Sequence, residues 1–212
     1  MRIVAVCAMA LVFGFVGSMP LAGPIAILVL SRATQRHFVD ALRIGLGAAA
    51  AEALYAGFSY WGFTTFLGRH AIVVPISHGV TAVVLVALGV RFMFWTADTT
   101  APEPKRGAGT FFFGFSVSAI NPTLLLTWSA AVAFLYSKGL KGASPLDAVP
   151  FGLAAGAGIA GWFAMLVALL RRYQGKVPVK AFTWTVRGLG LVLAVLGAGS
   201  GVRLVRWLAG HR

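Results

Sequence analysis

Charged side chains fall in clusters along this chain and leave three long uncharged intervals, residues 3 to 31, 107 to 137 and 148 to 170, of 29, 31 and 23 residues. Each is longer than the roughly 18 apolar residues that mark a membrane-crossing helix. Only 11% of the 212 residues are charged while 59% are hydrophobic; a soluble domain would carry about a quarter charged residues. An ordinary cytoplasmic enzyme is therefore excluded, and an integral membrane protein is expected.

Six apolar segments can be drawn: Ile3 to Leu30, Ile44 to Leu67, Ile72 to Trp95, Thr110 to Tyr136, Val149 to Leu170, and Arg187 to Trp207. The last has 15 uncharged residues between Arg187 and Arg203. That is about 22 Å of helix against a hydrocarbon core of about 30 Å, so it spans only if the arginines snorkel and Trp184 and Trp207 anchor the interfaces. The first segment has a leader-like start, with Arg2 and small residues near Gly17 and Ser18, but its apolar character runs on to Leu30, and we expect it to be retained. The net charge of +13 sits at the ends of the apolar runs rather than along one polar face. This argues against nucleic acid and for membrane orientation and anionic headgroups. Eleven Lys and Arg fall in the odd-numbered loops and seven elsewhere, which places those loops in the cytoplasm and both termini outside it.

The polar connection from Thr96 to Gly107 separates three segments from three. We divide the chain into a first three-helix repeat (1–95), a linker loop (96–108) and a second three-helix repeat (109–212). At an offset of one hundred residues the halves share Phe13/Phe113, Gly14/Gly114, Phe15/Phe115 and Ser18/Ser118. As unbroken helices the first two uncharged intervals would measure about 43 and 46 Å, too long for the hydrocarbon. Each carries a breaker after the shared motif: Pro20, Gly23 and Pro24 in one half, Asn121 and Pro122 in the other. Proline lacks a backbone donor, so carbonyls near Val16 to Pro20 and Ser116 to Ser118 are expected to lose their helical partners. Either break alone would read as a kink in a packed helix. Together, in matched positions, they point to a transport site, with the second half inverted relative to the first.

Of five acids, four lie in connections or at span ends; Glu52 lies eight residues into the second span. Helical spacing sets it on a stripe with Gly45, Ala49, Ala56 and Ser59, beside Tyr55, so its carboxyl should face the bundle. An acid at the membrane centre costs about 2.5 to 3.5 kcal/mol and is functional by default, here as a proton carrier; structural glue between helices is the plainer role. His78 is read as interfacial, and the pairs Gly152/Gly156 and Gly197/Gly201 as packing seams. Lone Cys7 is apolar filler and no metal-ligand spacing is present, so no cofactor is expected. No His-Glu-x-x-His occurs, Glu52 has no second intramembrane acid, and Ser18 and Ser118 lack a deep histidine, which ranks an enzyme last.

The run Pro20-Leu-Ala-Gly-Pro24, the apolar stretch to Leu30, the basic loop with Arg32 and Arg36, then Gly45-x-Gly47 and an acid resembles the start of the lysine exporter (LysE/RhtB) family of amino-acid translocators. Gly114 through Asn121-Pro122 and Trp128 is similar to that family's fourth span, where Asn-Pro-Lys is usual. The resemblance covers nearly the whole chain. It implies six helices in two related halves and proton-driven efflux of amino acids or similar metabolites. It carries the broken positions onto Gly23, Pro24, Asn121 and Pro122, and the second-span acid onto Glu52. Three departures stand out: a spread Pro-Leu-Ala-Gly-Pro for Pro-Gly-Pro, glutamate where aspartate is more usual, and Thr123 for the customary lysine.

The expectation is an all-α polytopic membrane protein with six transmembrane helices in two inverted three-helix repeats, in a bacterial inner (plasma) membrane. It would export an amino acid or derivative by proton antiport through Glu52, with Ser18, Pro20, Gly23, Pro24, Tyr55, Ser118, Asn121, Pro122 and Thr123 forming the substrate site. Its partners would be that small molecule, protons and the lipid bilayer, with no nucleic acid and with room for a homo-oligomer. The rival is a non-transporting scaffold or subunit of a larger complex.

Overall fold

The computed structural model describes residues 2–19, 24–67, 73–94, 109–121, 123–140, 144–173 and 179–210. Every regular element among them is helical. They are α1 (Arg2–Gly17), α2 (Pro24–Thr34), α3 (Phe38–Gly62) running on as a π turn (Phe63–Leu67), α4 (Val73–Met93), α5 (Gly109–Ala119), α6 (Thr123–Ser137), a 3₁₀ turn (Pro145–Asp147), α7 (Ala148–Arg172) and α8 (Val179–Gly210).

The two long apolar runs do break. α1 stops at Gly17 and α2 begins at Pro24; α5 stops at Ala119 and α6 begins at Thr123. The axes of α5 and α6 differ by 68°. Two stretches are long and apolar enough to cross a membrane alone, Pro145–Arg172 and Gly190–Ala209, and α5–α6 makes a third if the bent pair is one span. The second expected segment starts earlier than drawn, at Phe38, because Asp40 in its first turn suits the positive end of the helix dipole. The linker 96–108 lies outside the described residues.

α3 is the hub, packed on α2, α5, α6 and α7, while α4 pairs with α8 and also touches α6. Its alanine-rich middle favours helix and lets neighbours come close. A Cβ on Gly47 would strike the Phe111 carbonyl and come within 2.8 Å of the Phe115 nitrogen. A Cβ on Gly158 of α7 would strike the Leu11 carbonyl and come within 2.9 Å of the Phe15 nitrogen. Likewise Gly114 abuts the Ile44 carbonyl and Gly14 the Ala155 carbonyl. In both sets the α5 residues stand 100 positions after their α1 counterparts, and the α7 residues 111 after those of α3.

The expected glycine seams are also present: Gly152 and Gly156 of α7 meet Gly57 and Ala53 of α3, and Gly197 of α8 meets Val86 of α4. α3's outer face carries Val39, Leu46, Leu54, Phe58 and Trp61, all exposed as lipid-facing side chains are. Gly45, Ala49, Ala56 and Ser59 are buried and Glu52 among them is half-buried, so its stripe faces the bundle.

Candidate transport site

Chemistry local to the second break decides which groups it offers. As α5 ends, the Ile120 N–H donates to the Ser116 carbonyl and the Asn121 N–H to the Ser118 carbonyl, each at 3.0 Å. The second of these is the tighter i→i+3 bond common at helix ends. Ser116 and Ser118 therefore keep partners, contrary to expectation. The tightened turn leaves Ala119 needing one instead, and its carbonyl accepts the Tyr55 hydroxyl of α3 at 2.6 Å.

Asn121 caps the helix that follows. Its Oδ1 accepts from the Thr123 N–H at 3.1 Å and from the Thr123 hydroxyl at 2.7 Å. The Leu124 N–H donates to the Asn121 carbonyl at 3.2 Å. An asparagine whose side chain satisfies an orphan N–H of the first turn is a standard helix start. The side chains of Asn121 and Thr123 thus hold each other, so what the break presents is the carbonyl end of α5 opposite the amide end of α6.

At the first break the Ser18 hydroxyl donates back to the Gly14 carbonyl at 2.7 Å, and the Met19 N–H donates to the Val16 carbonyl at 3.1 Å. Val16 keeps a partner too, for the same reason. Pro24 is the first residue of α2, where its missing N–H costs nothing. Pro20, Gly23 and Pro122 lie outside the described residues.

Glu52 is joined to α6, the helix that follows the second break. The Trp128 indole N–H of α6 hydrogen-bonds its carboxyl. Trp128 is buried, and its ring meets Phe151 edge-on at 6.2 Å while Phe151 stacks on Tyr60 at 4.6 Å. This fixes the indole against α7, so the N–H is aimed before any ligand arrives. The structure therefore brings together Glu52, Tyr55, Ala119, Asn121, Thr123 and Trp128, with Ser118 buried in the adjoining turn. Ser18 turns back on its own helix. Trp128 was a landmark of the resemblance, not a site residue; the available signal was a tryptophan in mid-span, whose N–H needs an acceptor when buried. A groove of about 560 Å³ lies elsewhere, between Phe38 and Leu42 of α3 and Val167 and Arg171 of α7.

Among the described residues no group of His, Cys, Asp and Glu is arranged to hold a metal ion. No curated protein and no solved structure matches the chain significantly. A family model does: that of the LysE type translocators, over residues 15–203. With broken apolar helices and an acid held at one break, this chain belongs to the LysE type translocator family, whose members are membrane efflux transporters of amino acids or similar small molecules.

Proposed function

We propose that the chain is a six-span proton antiporter that exports an amino acid or similar small metabolite, with residues 1–95 and 109–212 as two inverted three-helix halves. In this reading it sits in a bacterial inner membrane with both termini outside the cytoplasm. One observation carries it: of the acids among the described residues, Glu52 alone is away from a helix end, and it is held beside the α5–α6 break by Trp128. The doubled Gly47–Phe111 and Gly158–Leu11 crossing, with its constant offsets, supports the two related halves.

A zwitterion finds opposite partial charges at the break. The carbonyl end of α5 favours its ammonium and the amide end of α6 its carboxylate. Glu52 takes a proton when the site is empty and releases it as the ammonium docks, so one carboxyl serves substrate and proton in turn. Holding Asn121, Thr123 and Tyr55 in fixed bonds keeps these backbone ends in place, and Ser18, Pro20, Gly23, Pro24, Ser118 and Pro122 are the remaining residues of the proposed substrate site.

Everted vesicles energised with a pH gradient and offered each amino acid in turn test this. Uptake should follow the gradient for at least one of them and be abolished by Glu52→Gln. A Glu52→Gln protein working at the normal rate removes the proton role, and failure with every amino acid and derivative supports a scaffold instead.

A further inference from the structure

Beyond Glu52, the interface between α3 and α6 carries paired hydroxyl groups toward the end of the bundle where both helices terminate. The Ser59 and Ser129 hydroxyls stand 3.4 Å apart across it. Further along, in the π turn, the Thr64 hydroxyl meets the Tyr136 hydroxyl at 2.9 Å. The Thr65 hydroxyl in the same turn is buried with no hydrogen-bond partner among the described residues. In the other direction, α3 from Ile44 to Ala51 has only aliphatic side chains and glycine.

We infer that this seam is the path by which protons reach Glu52 from the end of the bundle where α3 and α6 terminate. The inference rests on the antiport reading and adds a direction to it. Loops two and four, which follow α3 and α6, are both on the non-cytoplasmic side in the charge-based orientation. That is the side from which an export-driving proton must enter. Hydroxyls suit the task because each can accept a proton on one lone pair and release its own from the other, so Glu52 alone changes charge. From Glu52 to Ser59 is about 10 Å of helix rise, an interval for bridging water, with Tyr55 partway. The π turn widens the helix at the far end, and such turns are frequent at functional sites.

The ionisable groups on the packed elements agree with this polarity. Tyr136 belongs to the seam itself, whereas the Tyr55 hydroxyl is held by the Ala119 carbonyl of α5 and the Tyr60 ring stacks on Phe151 of α7. Asp40 and Arg43 on α3, Arg32 on α2, and Arg171 and Arg172 on α7 are all at the opposite end. Lys138 lies beyond Tyr136, over the Phe134 ring, and Asp147 forms a capping box with Ser144.

The test is the rate at which the Glu52 carboxyl exchanges its proton for deuterium in proteoliposomes, followed by infrared difference spectroscopy with Glu52→Gln to assign the band. Thr64→Val/Tyr136→Phe should slow exchange by about a hundredfold, the low end of what a positioned proton-transfer group contributes. Ser129→Ala, which removes one oxygen and keeps the packing, should slow it severalfold. Ser137→Ala is the control, because that hydroxyl donates to Phe134 of its own helix at 2.7 Å. Wild-type exchange rates in Ser129→Ala and the double variant, or equal slowing in Ser137→Ala, would overturn the path. Normal gradient-driven uptake by Glu52→Gln would instead overturn antiport while leaving the exchange result standing.

Discussion

The Tyr55 hydroxyl donates to the Ala119 carbonyl at 2.6 Å, joining the middle of α3 to the last residue of α5. It is a strap across the break, and it leaves Tyr55 on the same helix face as Glu52, one turn away. Tyr55→Phe keeps the ring and strands that carbonyl. We expect a loss of about 1 kcal/mol, the low end of the cost of an unsatisfied acceptor because this one is only part-buried, seen as a lower thermal midpoint in detergent. Substrate KM should rise with it, because the carbonyl end of α5 is no longer fixed.

Asn121 and Thr123 are predicted to act through α6 rather than by touching substrate. Asn121→Ala removes the cap and should cost about 0.5–2 kcal/mol, while Asn121→Asp or Asn121→Ser recovers most of it. Thr123→Val deletes only the second of the two bonds to Asn121 Oδ1. Its thermal midpoint should therefore fall less than that of Asn121→Ala. A direct substrate role would show the reverse pattern: stability unchanged, transport lost, and no rescue by serine.

Much of this architecture was legible in the residues. The excess length of the uncharged runs required breaks, and the breaks fall beside the prolines because proline cannot donate. Glu52 was the one acid in mid-span, and its small-residue neighbours placed it toward the bundle. What could not be read was which backbone groups the breaks would release. Ser116 keeps an ordinary helical partner and the helix ends tighten onto Ser118 and Val16, so the group captured at long range was the Ala119 carbonyl, 64 residues from Tyr55. Trp128 and the α3–α6 hydroxyls were missed for a similar reason. Serines and threonines on apolar helices usually bond their own backbone, as Ser137 and Thr127 do here, and only packing shows which ones reach a neighbouring helix.

Trp128→Phe should separate aim from packing at the carboxyl. The ring still lies against Phe151, so the thermal midpoint should move little, whereas Glu52 loses its indole donor. A hydrogen bond to a charged group contributes about 1.5–3 kcal/mol. The variant should therefore show a shifted pH profile of transport with folding intact. An unchanged profile would mean that the indole is filler.

The doubled helix crossing makes a paired prediction. Gly47→Val and Gly158→Val each drive a side chain into the backbone of a neighbouring helix, against Phe111 of α5 and Leu11 of α1 respectively. Both should be severely destabilising, and to similar degrees, because the geometry is the same. Gly199→Ala in α8, where a Cβ meets nothing within 4 Å, should be neutral or stabilising by about 0.5–1 kcal/mol. Expression level and thermal midpoint in detergent distinguish the three.

The helices that follow the two breaks also end alike, with one residue exchanged. α2 closes with the His37 N–H on the Arg32 carbonyl at 2.9 Å and the Arg36 N–H on the Ala33 carbonyl at 3.0 Å. α6 closes with the Leu140 N–H on the Leu135 carbonyl and the Gly139 N–H on the Tyr136 carbonyl, both at 3.0 Å. This is the paired bond pattern that ends a helix through a left-handed residue. Gly139 takes that conformation at φ 74°, but in α2 it is Arg36 that does so, at φ 64°. A side chain in the left-handed region costs roughly 1–2 kcal/mol that glycine does not incur. Arg36→Gly should accordingly raise the thermal midpoint, by an amount reduced by the extra freedom glycine gives the unfolded chain. Gly139→Ala should lower it. If Arg36→Gly instead destabilised the protein, the arginine side chain would have to contribute more than its backbone strain costs, through its charge in loop one.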